Sequence, residues 1–168
     1  MELPVNKFKR ALKDKKPQIG MWSSLSSHIV AEVLANAGFD WVLLDTEHSP
    51  NELPMVQAQL HAMTGGTATP VVRPAWNDMV LIKRYLDIGA QSLLLPYVQS
   101  VEEAKDAVRY TRYPQGGVRG VADASRSWQI TPCEGCDAGP PDCRAGTRDS
   151  DAILTRPSYR SVDLHQYP

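Results

Sequence analysis

Four continuous apolar runs, each followed within a few residues by a helix-start signal, constrain this chain more than any other feature. They are Ile19 to Trp22, "FDWVLLD" from Phe39, "TPVVRP" from Thr69 and "QSLLLP" from Gln91. A strand with one wet face alternates apolar and polar residues; these runs do not alternate, which is the pattern of strands buried on both faces. Between them lie helix signals. A short helix is expected over Asn6 to Lys13. Ser26 or Ser27 can cap a helix through "HIVAEVLANAG", with Gly38 as its stop. Ser49 and Glu52 in "SPNE" have capping-box spacing ahead of a helix reaching Met63, as do Ser100 and Glu103 ahead of "VEEAKDAVRYTR"; Asn77 or Asp78 caps "MVLIKRYLDIG". Strand and helix in strict alternation predict a parallel α/β sheet. With no Gly-rich phosphate loop after the first strand, the pattern fits a TIM (β/α)8 barrel better than a doubly wound nucleotide-binding sheet. An eight-unit barrel takes roughly 250 residues, so four units make its N-terminal half.

The sequence changes character after Val121. Residues 122–168 contain no lysine, many Arg, Asp, Pro and Gly, and one short apolar run, "DAILT". The expected organisation is a partial (β/α) barrel over 1–121 and a disordered tail over 122–168, because such a composition cannot bury enough apolar surface to offset its ordering entropy. A GC-rich gene read out of frame yields this kind of tail, so truncation by frameshift is the expected origin. The three cysteines, Cys133, Cys136 and Cys143, fall within it. They are too close together to staple the whole chain, and a zinc site there lacks a fourth ligand nearer than His165. A half barrel also predicts open edges at its first and fourth strands and an uncovered inner apolar face, hence self-association.

Of 168 residues the formal net charge is -1, which gives no reason to expect nucleic acid or an anionic membrane as partner. No apolar run is long enough to span a bilayer and "MELPVNKFKR" lacks the apolar core of a signal peptide, so a cytoplasmic location is expected.

The second apolar run stops at Asp45, and Glu47 and His48 follow at once. Active groups of such barrels sit at the carboxyl ends of strands. His48 there is either a general base or a histidine satisfied in a loop. Arg73, ending "PVVR", is either an anion-binding guanidinium or a rim arginine in a surface ion pair. Asp45 can cap the loop backbone, and Trp22 can wall a pocket or belong to the core. Asp87, in "YLDIG", reads by itself as a helix-terminal carboxylate.

Taken in order, "GMW", "AGFDWVLLDTEHSPN", "PVVRPAWND", "IKRYLDIGAQSLLLPYVQ" and "YPQGGVRGV" resemble the HpcH/HpaI family of metal-dependent pyruvate aldolases, over about Asn6 to Val121. "ASR" at Ala124 to Arg126 is a fainter likeness, and nothing beyond Trp128 matches. The resemblance implies a TIM barrel that makes or breaks a carbon–carbon bond beside a 2-oxo acid, with Mg²⁺, Mn²⁺ or Co²⁺ polarising it, in a homo-oligomer. It implies His48 as general base, Arg73 as the group that binds the oxo acid and stabilises the enolate, and Asp87 as the carboxylate orienting His48. Asp45 and Glu47 take supporting places near the metal's waters. The Glu and Asp metal ligands that the family carries on later strands have no counterpart in this chain, which puts catalysis by it alone in doubt.

Overall fold

A computed structural model of the protein describes residues 5–121 and, beyond them, the strands Asp151–Thr155 and Ser161–Val162. Helix α1 (Lys7–Lys13) comes first, capped by Asn6, whose side chain accepts from the Lys9 amide. Four β/α units follow: β1 (Gly20–Ser23) and α2 (His28–Ala35), β2 (Trp41–Asp45) and α3 (Leu53–Ala62), β3 (Thr69–Arg73) and α4 (Met79–Asp87), β4 (Ser92–Leu95) and α5 (Val101–Thr111). Strands β1 to β4 pair in parallel and in chain order. The arrangement is the expected first half of a (β/α)8 barrel.

Successive residues of a strand face opposite sides, and the two sides have different partners. Val42, Leu44, Val72, Leu93 and Leu95 face the helices and form the main core with Val56, Leu60, Ile82, Leu86 and Ala107. Leu43, Val71 and Leu94 face inward. Leu43 and Val71 stand opposite each other in register, and Phe8 of α1 covers all three with Trp41 packed alongside. The inner apolar face expected to be open is therefore covered: α1 lies across the sheet, and its Asn6 donates to Ser92 at the start of β4 (2.8 Å). Burying a side chain of this size stabilises the fold by roughly 1.5–3 kcal/mol, which is reason enough for a short helix to dock there.

Two further expectations are corrected. The fourth strand is not an open edge, because "DAILT" forms β5 (Asp151–Thr155), parallel to β4 from Ser92↔Asp151 to Leu95↔Leu154, and β6 (Ser161–Val162) pairs antiparallel to β5. A run of Ile and Leu closed by Thr suits a strand beside an apolar parallel one. Nor do Ser49 and Glu52 form a capping box. Glu52 is the N-cap of α3 without a side-chain bond, since the Ser49 hydroxyl donates instead to the Asp45 carbonyl (2.5 Å). The second box forms as expected: Ser100 accepts from the Glu103 amide (3.1 Å) and Glu103 from the Ser100 amide (3.2 Å). Ser27 and Asp78 cap α2 and α4. The cysteines and His165 lie outside the described residues.

Gly20 has a steric reason. A Cβ there would stand within the Trp41 ring, which is itself held between Phe8 (centroids 5.9 Å) and Trp22 (6.3 Å). Gly20→Ala is therefore expected to lower unfolding free energy by about 1–3 kcal/mol, read as a shifted urea midpoint with unchanged slope; a midpoint within error of the parent would show that Trp41 moves aside without cost.

Candidate active site

The carboxyl ends of β2 and β3 are level, since Asp45 stands opposite Arg73 in the register. Adjacent inward positions thus carry a carboxylate and a guanidinium, and they bond at two points: Arg73 Nε donates to Asp45 Oδ1 (2.9 Å) and Nη2 to Oδ2 (2.6 Å). Trp22, on the inner side of β1, donates its indole N–H to Oδ2 (3.1 Å), and its ring lies 4.9 Å from the guanidinium carbon. The amides of Glu47 and His48 donate to Oδ1 (2.9 and 3.3 Å), folding the loop after β2 around the same carboxylate. Five donors thus converge on Asp45, which is 2% exposed. Its backbone carbonyl holds the following turn through Ser49 and through Asn51 (2.8 Å), and Asn51 in turn accepts from the buried Gln59 (2.7 Å).

A second set of bonds fixes the tip of β3. The Thr46 amide and hydroxyl both donate to the Arg73 carbonyl (3.0 and 2.6 Å), and the buried Tyr85 hydroxyl of α4 donates to Thr46 Oγ1 (3.1 Å). Burial pushes the Tyr85 hydroxyl's pKa up, while its bond to Thr46 acts the other way.

Glu47 extends the pair into a trio. Arg73 Nη1 lies 3.0 Å from Glu47 Oε2, and His48 Nε2 lies 3.6 Å from Glu47 Oε1. The Arg73 and Glu47 side chains are each 15% exposed and that of His48 is 71% exposed, so the imidazole is the open member. Of the guanidinium's five N–H groups, the bonds to Asp45 and Glu47 use three, leaving two for a ligand.

The sequence-predicted residues therefore separate into two groups. Asp45, Glu47, His48, Arg73 and Trp22 come together. Asp87 does not join them: it ends α4, which runs back from the strand tips over about 12 Å at 1.5 Å per residue. There it accepts from Arg119 Nη2 (2.8 Å), and Arg119 is 4% exposed and lies over the Tyr113 ring (4.7 Å). Trp22 is 44% exposed and so does not belong to the core. Sequence reasoning passed over Arg119, Thr46 and Tyr85. "GGVRGV" was a signal for the first: a Cβ on Gly117 would overlap the Arg109 and Arg112 carbonyls, so only glycine lets the chain turn back along α5 and deliver Arg119 to Asp87.

A divalent ion needs carboxylate oxygens turned toward one point with lone pairs free. The Asp45 oxygens are saturated by protein donors, and both Glu47 oxygens face cationic or imidazole nitrogen. Among the described residues no group of three or more His, Cys, Asp or Glu is placed to hold a metal. The described residues therefore do not fit a resident ion by themselves.

Burial raises the Asp45 pKa; against it, Arg73, the Glu47 and His48 amides and the Trp22 indole hold the carboxylate charged, and the outcome is a pKa lowered to about 2. A carboxyl whose folded pKa lies below its unfolded value adds stability above the unfolded value and loses it as pH falls through the folded one. Between pH about 4 and about 2 the protein is thus expected to lose about 2 kcal/mol through this group, measured by urea unfolding across that range, and Asp45→Asn should flatten that part of the profile.

A sequence profile of the HpcH/HpaI aldolase/citrate lyase family matches residues 18–142, so the likeness extends past Trp128, where it was expected to stop. A pyruvate aldolase from Rhizobium etli is 59% identical over 127 residues, which are 76% of this chain and 50% of that protein. A 4-hydroxy-2-oxo-heptane-1,7-dioate aldolase from Klebsiella pneumoniae is 58% identical over 119 residues, 71% of this chain and 45% of that protein. The chain thus spans about half the length of the curated relatives it matches. Among solved structures, an HpcH/HpaI aldolase/citrate lyase family protein from Burkholderia cenocepacia superimposes with a TM-score of 0.79 at 34% identity, over 89% of this chain and 59% of that one.

Proposed function

The chain belongs to the HpcH/HpaI aldolase/citrate lyase family, and from that membership we propose that its chemistry is that of a pyruvate-type aldolase, a carbon–carbon lyase cleaving 4-hydroxy-2-oxo acids to pyruvate and an aldehyde. The observation that carries the reading is Arg73, clamped at a strand tip with two N–H groups left over, beside an open His48. His48 takes the proton of the C4 hydroxyl, the C3–C4 bond breaks, and its electron pair passes to the oxygen of the pyruvate enolate. Arg73 stabilises that oxygen, and His48 returns the proton to C3. Asp45 and Glu47 act through Arg73 and His48, and Trp22 walls the pocket. Asp87, at the far end of α4, reaches a His48 only as a residue contributed by another copy of the chain in a homo-oligomer; within one chain it serves as the Arg119 latch.

Asp45, Glu47 and Arg73 sum to a formal charge of -1, which does not attract an anionic oxo acid unaided. A divalent ion such as Mg²⁺, Mn²⁺ or Co²⁺ therefore belongs to the complete site, with ligands from outside the described residues. This supports a second reading, in which the chain by itself is a catalytically inactive half barrel. Ile19, Leu25, Ile29 and Val33, each more than 60% exposed along β1 and α2, favour self-association of such a half. No helix among the described residues is long and apolar enough to cross a membrane.

Pyruvate release from 4-hydroxy-2-oxo acids, followed with each of the three ions added, tests both readings. Under the first, turnover depends on the ion, and His48→Ala and Arg73→Ala each reduce kcat/KM by about 10²-fold or more; turnover indifferent to His48 would end it. Absence of turnover with every ion establishes the second.

A further inference from the structure

Trp22 offers more than a wall. Its indole N–H donates to Asp45 Oδ2, the same oxygen that receives Arg73 Nη2, while its ring lies against the guanidinium carbon at 4.9 Å. One side chain thus touches both members of the ion pair, the anion through its N–H edge and the cation through its π face. Trp22 is itself seated from below. It meets Trp41 edge-on (centroids 6.3 Å, 74° between planes), and Trp41 packs on Phe8 of α1 (5.9 Å). Glu47 takes Nη1 of the same guanidinium (3.0 Å), whose side chain is 15% exposed.

A guanidinium bonded to a carboxylate through Nε and Nη2 has its in-plane position set by two bonds, but nothing in those bonds fixes the tilt of its plane about the axis joining the two groups. Two other contacts do: the Nη1 bond to Glu47 ties one corner (3.0 Å) and the ring of Trp22 blocks one face. We propose that Trp22 is a positioning residue for Arg73, setting the plane in which the two remaining N–H groups of the guanidinium are presented to the oxo acid's oxygens. The proposal deepens the aldolase reading of this site and rests on it for the identity of the ligand, but not for the geometry.

The test needs no turnover, so its failure is distinct from failure of the aldolase assay. Solvent exchange of the Arg73 Nε–H is measured by NMR on the full chain and on Trp22→Phe and Trp22→Leu. Phe keeps a ring against the guanidinium and loses the donor to Asp45; Leu loses both. Exchange is expected to accelerate about tenfold in Trp22→Leu, the scale of one cation–π contact with one hydrogen bond to a charged group, and by an intermediate factor in Trp22→Phe. Backbone amide protection along Val42 to Leu44 and Val71 to Val72 should stay as in the parent. Equal Arg73 exchange in all three proteins overturns the proposal. So does acceleration matched by an equal loss of amide protection in β2 and β3, which makes Trp22 a packing residue of the strands and no more.

Discussion

A carboxylate buried at the tip of one parallel strand and a guanidinium at the tip of the next are the constraint around which this half barrel is organised. Taking Asp45 out of water costs several kcal/mol unless its charge is matched and its lone pairs filled, and the register of β2 on β3 brings Arg73 level to do so. Much else answers the same demand. The loop after β2 curls so that two amides point at Asp45, Trp22 turns its N–H inward, and Ser49 gives up a helix-capping position to hold the Asp45 carbonyl. The site's geometry is the solution to a burial problem.

The fold was largely legible because its signals are local. Strands buried on both faces are apolar residue after residue, and caps such as Ser100 with Glu103 are read within four positions. Where local reading failed, a distant residue had a stronger claim. Ser49 has the right spacing to Glu52, but Asp45 competes for its hydroxyl. "DAILT" is unremarkable alone and becomes a strand because β4 offers it an edge. The helix over Asn6 to Lys13 is readable from the sequence, but that its Phe8 covers the inner faces of three strands is not.

The site divides in the same way. His48 and Arg73 could be named because each closes or follows an apolar run, where barrels place their chemistry. That five donors converge on Asp45 depends on the pairing of β2 with β3, which no single stretch of sequence states. Asp87 is the opposite case. The family resemblance assigns it to a histidine, whereas within this chain a helix carries it to the other end of the sheet, and its partner Arg119 lies 32 residues further along.

The Phe8, Trp41 and Trp22 rings form a column from the first helix up to the guanidinium. That column seats the ion pair on α1. Anything that pulls the helix off its seat, such as a bulky fusion joined just ahead of Lys7, admits water beneath the ion pair and raises the local dielectric without altering either of its two residues.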